Sequence, residues 1–544
     1  MAAEFGIPTP NPLGELKYLK YAFYIFVYAF KIIVFMGAYW ILIFLLPFLA
    51  YDLAQVLFVP YDLIGTCSGV FSLFFSSFPW LAIASSCVGL FLMVMTTTQN
   101  VIRVTSKNKN YEVWSKIAKT KNANENGQYS KLLSGNPEGF IFGRLQTNFV
   151  RKAVSMDGHI LTIGGAGSGK SSCVAIPSLM SWESRVFAVD IKGELYEKTK
   201  GHRPNIKVFN PMKSDSDGYN PYYLLAQSRN PVQDAREIAL AIIPKPENIK
   251  EPFWIESAQN IFTGAILHFF NEGFTFIQTI RAIQSTPIEK LVSILHSSPT
   301  EDARYFVNQL VGMDIKTLSG VFSEVSNKIM AFATDPDLKA CLSKDHCVTP
   351  ENIERGYDVY LNIPEHKLEQ WKGLLTLIIN QFLKHFERRP DTDAAPVLFL
   401  LDEFSRLGKI ETVIHGLATL RSKKVTICVL TQSLAQLDVI YGKEQRQVIA
   451  DNCQYKAVLN ATDADTQDYF SRLVDTFDKV KYSKSANYEQ YSGLGKGTGT
   501  SETTEEKRII KPEEFGTLED IVLLTPFGFL RIDRAPYYSD KAFS

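Results

Sequence analysis

The sequence predicts an α/β protein: a parallel sheet with helices on both faces, interrupted by an inserted all-α domain and preceded by a two-helix transmembrane anchor. Three observations carry this expectation. Short apolar strand patterns alternate with helical ones on either side of residues 221–344. Inside that interval the strand patterns stop and amphipathic helices follow one another. Ahead of both lie two apolar runs of bilayer-crossing length.

The apolar runs come first. From Tyr21 to Ala50 the chain reads YAFYIFVYAFKIIVFMGAYWILIFLLPFLA, with Lys31 its only charge, and Phe78 to Met95 reads FPWLAIASSCVGLFLMVM. Each approaches or exceeds the about 20 residues that a helix needs to span hydrocarbon. Lys31 stands early in the first run, where its stem can snorkel to the interface. No Lys or Arg occurs between residues 32 and 102. Lys17 and Lys20 precede that window, and Arg103, Lys107, Lys109, Lys116, Lys119 and Lys121 follow it. This asymmetry puts both termini in the cytoplasm and a short loop carrying Asp52 and Asp62 outside. A cleaved signal peptide fits poorly, because the first run is too long for one and no small-x-small site follows. Residues 1–104 are therefore expected to be a membrane anchor in the lipid bilayer, of two transmembrane helices joined by a short periplasmic loop.

Composition sets the outer bounds. The chain has 544 residues, enough for more than one core, and its 57 basic and 57 acidic residues cancel. No overall charge advertises nucleic acid, so any such partner needs a local patch. The seven cysteines are scattered without a CxxC, which argues against a zinc site and for reduced, mostly buried thiols.

After a polar linker (105–135), GHILTIGG reads as a buried strand entering a glycine loop, then a helix, SSCVAIPSLMSW. SRVFAVDIKGEL and NIKVFNP supply two more strands, completing a first α/β segment at 105–220. The insertion at 221–344 holds PVQDAREIALAII, FWIESAQNIFTGAILHFF, IEKLVSILH and EDARYFVNQLV. The sheet resumes over 345–544 with DVYLNIP, PVLFLLDE and KVTICVLTQS. Residues 492–507, SGLGKGTGTSETTEEK, have linker composition and are expected to be a mobile loop.

Chemistry concentrates in four places. GGAGSGKS, Gly164 to Ser171, fits G-x-x-x-x-G-K-[ST], with the strand before it and the helix after it that a phosphate loop requires. Gly164, Gly165, Ala166, Gly167, Ser168, Gly169, Lys170, Ser171 and Ser172 are the expected ATP cradle: backbone N–H groups turn inward and a helix N-terminus faces the phosphates. Lys170 would reach the β- and γ-phosphates, and the Ser171 hydroxyl would hold Mg²⁺. VLFLLDE ends a strand in two carboxylates. Asp402 is placed for the Mg²⁺ shell and Glu403 for activating an attacking water. Gln432 ends the strand ICVLTQ, where a polar side chain would sense the γ-phosphate. Arg421, in HGLATLRSKK, is a candidate arginine finger acting in trans.

The proline-marked helix VAIPSLMSW, followed by VFAVDIKGELYEKT, VFNP, YNPYYLL, LDEFSRLGKI and VLTQSLAQLDVIYG in that order, resembles the conjugative coupling proteins, the TraG/TraD-like ATPases of type IV secretion systems. The resemblance spans about residues 135–544. It implies a RecA-like nucleotide domain with an all-α domain inserted, an anchor in the bacterial inner membrane, and a homo-hexameric ring. It also implies delivery of a relaxase–DNA complex or effector proteins to the secretion channel, driven by ATP. A secretion-channel assembly ATPase shares the core but not DIKGE and IPSLMSW. A chromosome-segregation translocase would bring a winged-helix module, of which there is no sign. A nucleotide-stabilised receptor or scaffold without motor activity would have no use for Glu403.

Overall fold

The computed structural model describes residues 128–246, 249–391, 394–488 and 495–543. The expected anchor at 1–104 lies outside the described residues; among those described, no helix is long and apolar enough to cross a membrane.

The described chain opens with a small antiparallel sheet of β1 (Leu133–Ser134), β2 (Phe140–Leu145) and β3 (Asn148–Lys152), in the order β1-β3-β2. The main sheet takes β4 (Ile160–Gly164), β5 (Arg185–Asp190), β6 (Ile206–Phe209), β7 (Asp358–Asn362), β8 (Val397–Leu401), β9 (Val425–Thr431) and β10 (Tyr455–Asn460). A separate two-stranded ribbon follows, β11 (Thr476–Tyr488) with β12 (Gly495–Arg508), and the hairpin β13 (Ile521–Thr525)–β14 (Gly528–Ile532) completes the main sheet.

The order across that sheet is β14-β13-β10-β4-β9-β8-β5-β7-β6. Every pairing from β10 to β6 is parallel, and β13 joins β10 antiparallel. The parallel strands read as unbroken apolar runs because helices cover both faces: VLFLL of β8 and VTICVLT of β9 are buried at every position.

Between β6 and β7 the named elements are helical. Phe253–Asn271 is buried on nearly all sides, and Pro231–Ile242, Glu301–Val307 and Ile315–Thr334 pack around it. Their starts are written in the sequence. Asn230 caps Pro231–Ile242 through the Gln233 N–H, Thr275 and Gln278 form a reciprocal capping box, and Asp314 caps Ile315–Thr334. Asp335, besides capping its own helix, accepts from Lys367 Nζ (3.0 Å) and Trp371 Nε1 (3.2 Å), tying these helices to Leu368–Glu387.

The expected loop at 492–507 is corrected by the structure. Gly495–Arg508 is a strand, registered residue by residue against β11 from Thr476↔Arg508 to Ala486↔Thr498 and then shifted by an irregularity to Tyr488↔Gly495. Gly, Ser and Thr there mimic linker composition, whereas pairing to a partner of matching length satisfies the backbone.

One buried ion pair fixes the lower end of the sheet. Arg203 grips Asp358 through Nε (2.5 Å) and Nη2 (3.0 Å), and its remaining N–H groups reach the carbonyls of Leu179, Trp182 and Ser184. Asp358 in turn accepts the Val186 N–H at 2.8 Å. The end of the loop-following helix is thereby bolted to β5 and β7.

Candidate functional site

The carboxyl ends of β4, β9, β8 and β5 stand side by side, and each delivers one component of a site. β4 ends at Gly164 and opens directly into the glycine loop. Gly167 and Gly169 take left-handed conformations (φ 73° and 92°), which a side chain would strain. At Gly164 a Cβ would stand 2.3 Å from Ser168 Oγ. The loop is therefore a cradle that side chains would fill, and its curl is closed by Ser168 N–H to Gly165 O at 3.2 Å.

Lys170 folds back over this loop and donates to Gly164 O at 2.6 Å. Burial lowers its pKa, while the carboxylates of Glu403 and Asp402 oppose that fall. Ser171 and Ser172 follow on the first helical turn. That turn is wound as a π-helix over Lys170–Ala175, and α-helical geometry starts only at Ile176–Ser181.

The winding accounts for Pro177. Ile176 N–H reaches back five residues to Ser171 O, and Pro177 has no N–H, so the Ser172 carbonyl lacks a helical donor. Tyr537, near the C-terminus, donates to it at 3.0 Å. The same C-terminal segment is held by Asp540, which takes a two-pronged bond from Arg144 (2.6 and 3.0 Å), and by Phe543 against Phe149.

β8 ends into Asp402 and Glu403. Asp402 is 3% exposed, and its Oδ1 has no hydrogen-bond partner. Burial, with the like charges of Glu403 and Asp190, pushes its carboxyl up to about 6. A buried, unpartnered carboxylate oxygen beside Lys170 fits a divalent cation, and the unpartnered Ser168 Oγ in the loop is a hydroxyl free to donate to a phosphate oxygen. Glu403 adopts φ 47°, ψ 44°, a left-handed conformation that costs a non-glycine residue about 1–3 kcal/mol. Its side chain is nevertheless buried and engaged: Oε2 accepts from Gln432 Nε2 at 3.2 Å and Oε1 faces Lys192 Nζ at 3.7 Å.

Of the residues expected from sequence, Gly164–Ser172, Asp402, Glu403 and Gln432 come together. Arg421 does not join them. It lies exposed in the turn before β9, at the amino end of that strand, whereas Gln432 lies past the carboxyl end. At about 3.3 Å per residue the length of β9 separates the two. Within one subunit Arg421 is therefore remote from the loop.

Two residues of the cluster were not singled out from sequence. Asp190 ends β5; burial raises its pKa, its Oδ2 accepts the Tyr196 N–H at 2.9 Å, and its Oδ1 is free of partners. Lys192 stands two residues further on, against Glu403. Both lie in DIKGE, whose charged tip after a fully apolar strand was the available signal.

Residues 106–544 match the protein family described as Type IV secretory system Conjugative DNA transfer. The chain is similar to the VirD4 protein of Rhizobium radiobacter, 25% identical over 79% of this chain and 64% of that protein. It is also similar to the conjugal transfer protein TraG of Escherichia coli, 22% identical over 65% of this chain and 61% of that one. The chain thus spans under two thirds of the length of these relatives. Among solved structures, the plasmid coupling protein TrwB in complex with ADP and Mg²⁺ shares the fold, with a TM-score of 0.58 and 15% identity over 76% of this chain and 92% of TrwB.

Proposed function

The chain belongs to the type IV secretory system conjugative DNA transfer family, and on that premise we propose that it is a coupling ATPase, hydrolysing ATP to deliver substrates to a type IV secretion channel. The observation that carries this reading is the meeting of Lys170, Asp402, Glu403 and Gln432 at the carboxyl ends of adjoining strands. Of the relatives, TrwB is a plasmid coupling protein with structures in complex with ADP and Mg²⁺ and with nucleotide analogues.

The placement of these residues supports the following roles. Gly164–Ser172 holds the phosphates of ATP, with Lys170 swinging from Gly164 O to the terminal phosphate oxygens. Ser171 and Asp402 would hold Mg²⁺, which would neutralise phosphate charge. Glu403 takes the proton of the attacking water, and Gln432 holds Glu403 and reports the γ-phosphate. Arg421, remote from its own loop, acts on the loop of a neighbouring subunit in a homo-hexamer. Residues 1–104 anchor the ring in the bacterial inner membrane, and the ring receives a relaxase–DNA complex or effector proteins.

The test is Mg²⁺-dependent ATP turnover by the purified full-length protein, with its oligomeric size, with and without single- and double-stranded DNA. Turnover that depends on Glu403 supports the reading; a nucleotide-binding protein indifferent to Glu403→Gln would be a docking platform instead.

A further inference from the structure

Gln432 does not end at Glu403. Its Oε1 accepts from Gln436 Nε2 at 3.4 Å, and Gln436 Oε1 accepts from Ser405 Oγ at 2.9 Å. Ser405 lies two residues after Glu403, in the 3₁₀ turn Phe404–Leu407. The four side chains thus form a circuit that leaves the β8 turn at Glu403 and returns to it at Ser405, by way of the helix that follows β9.

The polarity of this circuit is fixed from one end. An ionised carboxylate only accepts, so Gln432 must present its NH₂ to Glu403 and its oxygen to Gln436. Gln436 must then offer its own NH₂ to Gln432 and its oxygen to the Ser405 hydroxyl. Each amide has one orientation that satisfies both neighbours.

A second observation shows that the Gln436 side chain is diverted to this task. Ser433-Leu434-Ala435-Gln436 is a capping-box sequence at the start of Leu434–Asn452. Half of the box forms: Ser433 Oγ accepts the Gln436 N–H at 3.3 Å. The returning half, Gln436 to the Ser433 backbone, is replaced by the bonds to Gln432 and Ser405. Elsewhere in the same chain, Thr275 with Gln278 and Thr349 with Asn352 complete both halves. The geometry of the β9 helix start therefore gives up a local bond in favour of the site.

We infer that Ser405 and Gln436 are positioning residues for hydrolysis: they lock the Gln432 amide so that it holds the Glu403 carboxylate in place for the attacking water. This rests on Glu403 being the base, and the experiment separates the two claims. Ser405→Ala, Gln436→Ala, the double variant, Ser405→Thr and Glu403→Gln are compared as full-length protein. The measurements are kcat and KM for ATP with Mg²⁺, affinity for a fluorescent ADP analogue, and thermal stability. Ser405→Ala and Gln436→Ala each lower kcat about tenfold, with KM and analogue affinity held within about twofold. The double variant is no slower than the slower single, because one chain is cut at either point. Ser405→Thr keeps the hydroxyl donor and restores the rate. Should Gln436→Ala not fold, Gln436→Glu keeps the volume, cannot donate to Gln432, and shows the same loss.

Additive losses, a rate unchanged in the single variants, or a Ser405→Thr as slow as Ser405→Ala overturns the circuit. If Glu403→Gln is inactive while Ser405→Ala and Gln436→Ala run at the wild-type rate, the circuit alone fails. If Glu403→Gln itself turns over normally, the base assignment fails and takes the circuit with it.

Discussion

Gln432 Nε2 donates to Glu403 Oε2 across 3.2 Å, so a side-chain bond joins the residues just past the tips of β9 and β8 beside the phosphate loop. Glu403→Gln is expected to cut ATP turnover by about 10²–10⁴-fold, the range for losing a positioned acid–base group. Binding of a fluorescent ATP analogue should stay at the wild-type level, since the substitution leaves the glycine loop and Lys170 intact. A Glu403→Gln protein that hydrolyses at the wild-type rate would sink the role. Gln432→Ala, measured in the same assays, should again leave binding intact and slow turnover to a lesser degree.

Gly169→Ala tests the cradle. The new Cβ would meet Cys173 Sγ at 2.9 Å on a backbone at φ 92°. The expected cost is about 1–2 kcal/mol for the left-handed conformation, together with loss of analogue binding. Adding Cys173→Ala should relieve the contact and recover part of the melting temperature, but not the binding. Full recovery of binding in the double variant would show that the conformation of residue 169 is not what shapes the loop.

Arg203→Ala strands Asp358 in the interior and leaves the carbonyls of Leu179, Trp182 and Ser184 without their donors. Breaking a buried pair of this kind costs about 3–5 kcal/mol. Arg203→Lys should recover little, because an ammonium cannot serve the five acceptor bonds that the guanidinium makes. Denaturant unfolding measures both; a loss below about 1 kcal/mol for the alanine variant would contradict the bolted arrangement.

Stability should rise with pH through two windows. Lys152 is fully buried, with Thr426 Oγ1 its hydrogen-bond acceptor at 2.9 Å, and burial pulls its amine from 10.5 to about 7. His159 accepts the Ile427 N–H on Nδ1, and burial, with Lys152 and Arg421 nearby, pulls it from 6.5 to about 3. In both cases the unfolded chain keeps its proton to higher pH than the folded one. Unfolding free energy therefore climbs between about 7 and 10.5 for the lysine and between about 3 and 6.5 for the histidine, each by at most about 1.4 kcal/mol per pH unit. Lys152→Met should flatten the alkaline climb and leave the acid limb in place. Denaturant unfolding at pH 7, 8 and 9 checks this, and identical slopes for variant and wild type would refute it.

The parallel strands and the phosphate loop were legible because each announces itself locally: an unbroken apolar run, then glycines or a carboxylate pair. Asp402 and Glu403 follow VLFLL directly, and no other placement of that run suits a sheet covered on both faces. The ribbon was not legible. Gly495, Gly497 and Gly499 interrupt whatever strand preference the threonines carry, and what makes Gly495–Arg508 a strand is the backbone of Thr476–Tyr488, which composition does not reveal. The small sheet is hard to read for a related reason: FIFGRL and NFVRK are short, mixed in character, and interrupted by Gly143 and Arg151. Gln436 reaches the site only through contacts to Gln432 and Ser405, made between separate elements, which no single stretch encodes.

The bond from Tyr537 to Ser172 also constrains how the chain can change in length. An insertion at the far end of the β11–β12 ribbon would displace nothing that the loop depends on. One extra residue between Asp533 and Tyr537 would carry a donor away from a carbonyl two positions past Lys170, where Pro177 ensures that the helix has no replacement. Length variation among descendants of this sequence should therefore collect in the ribbon and be absent from that short stretch.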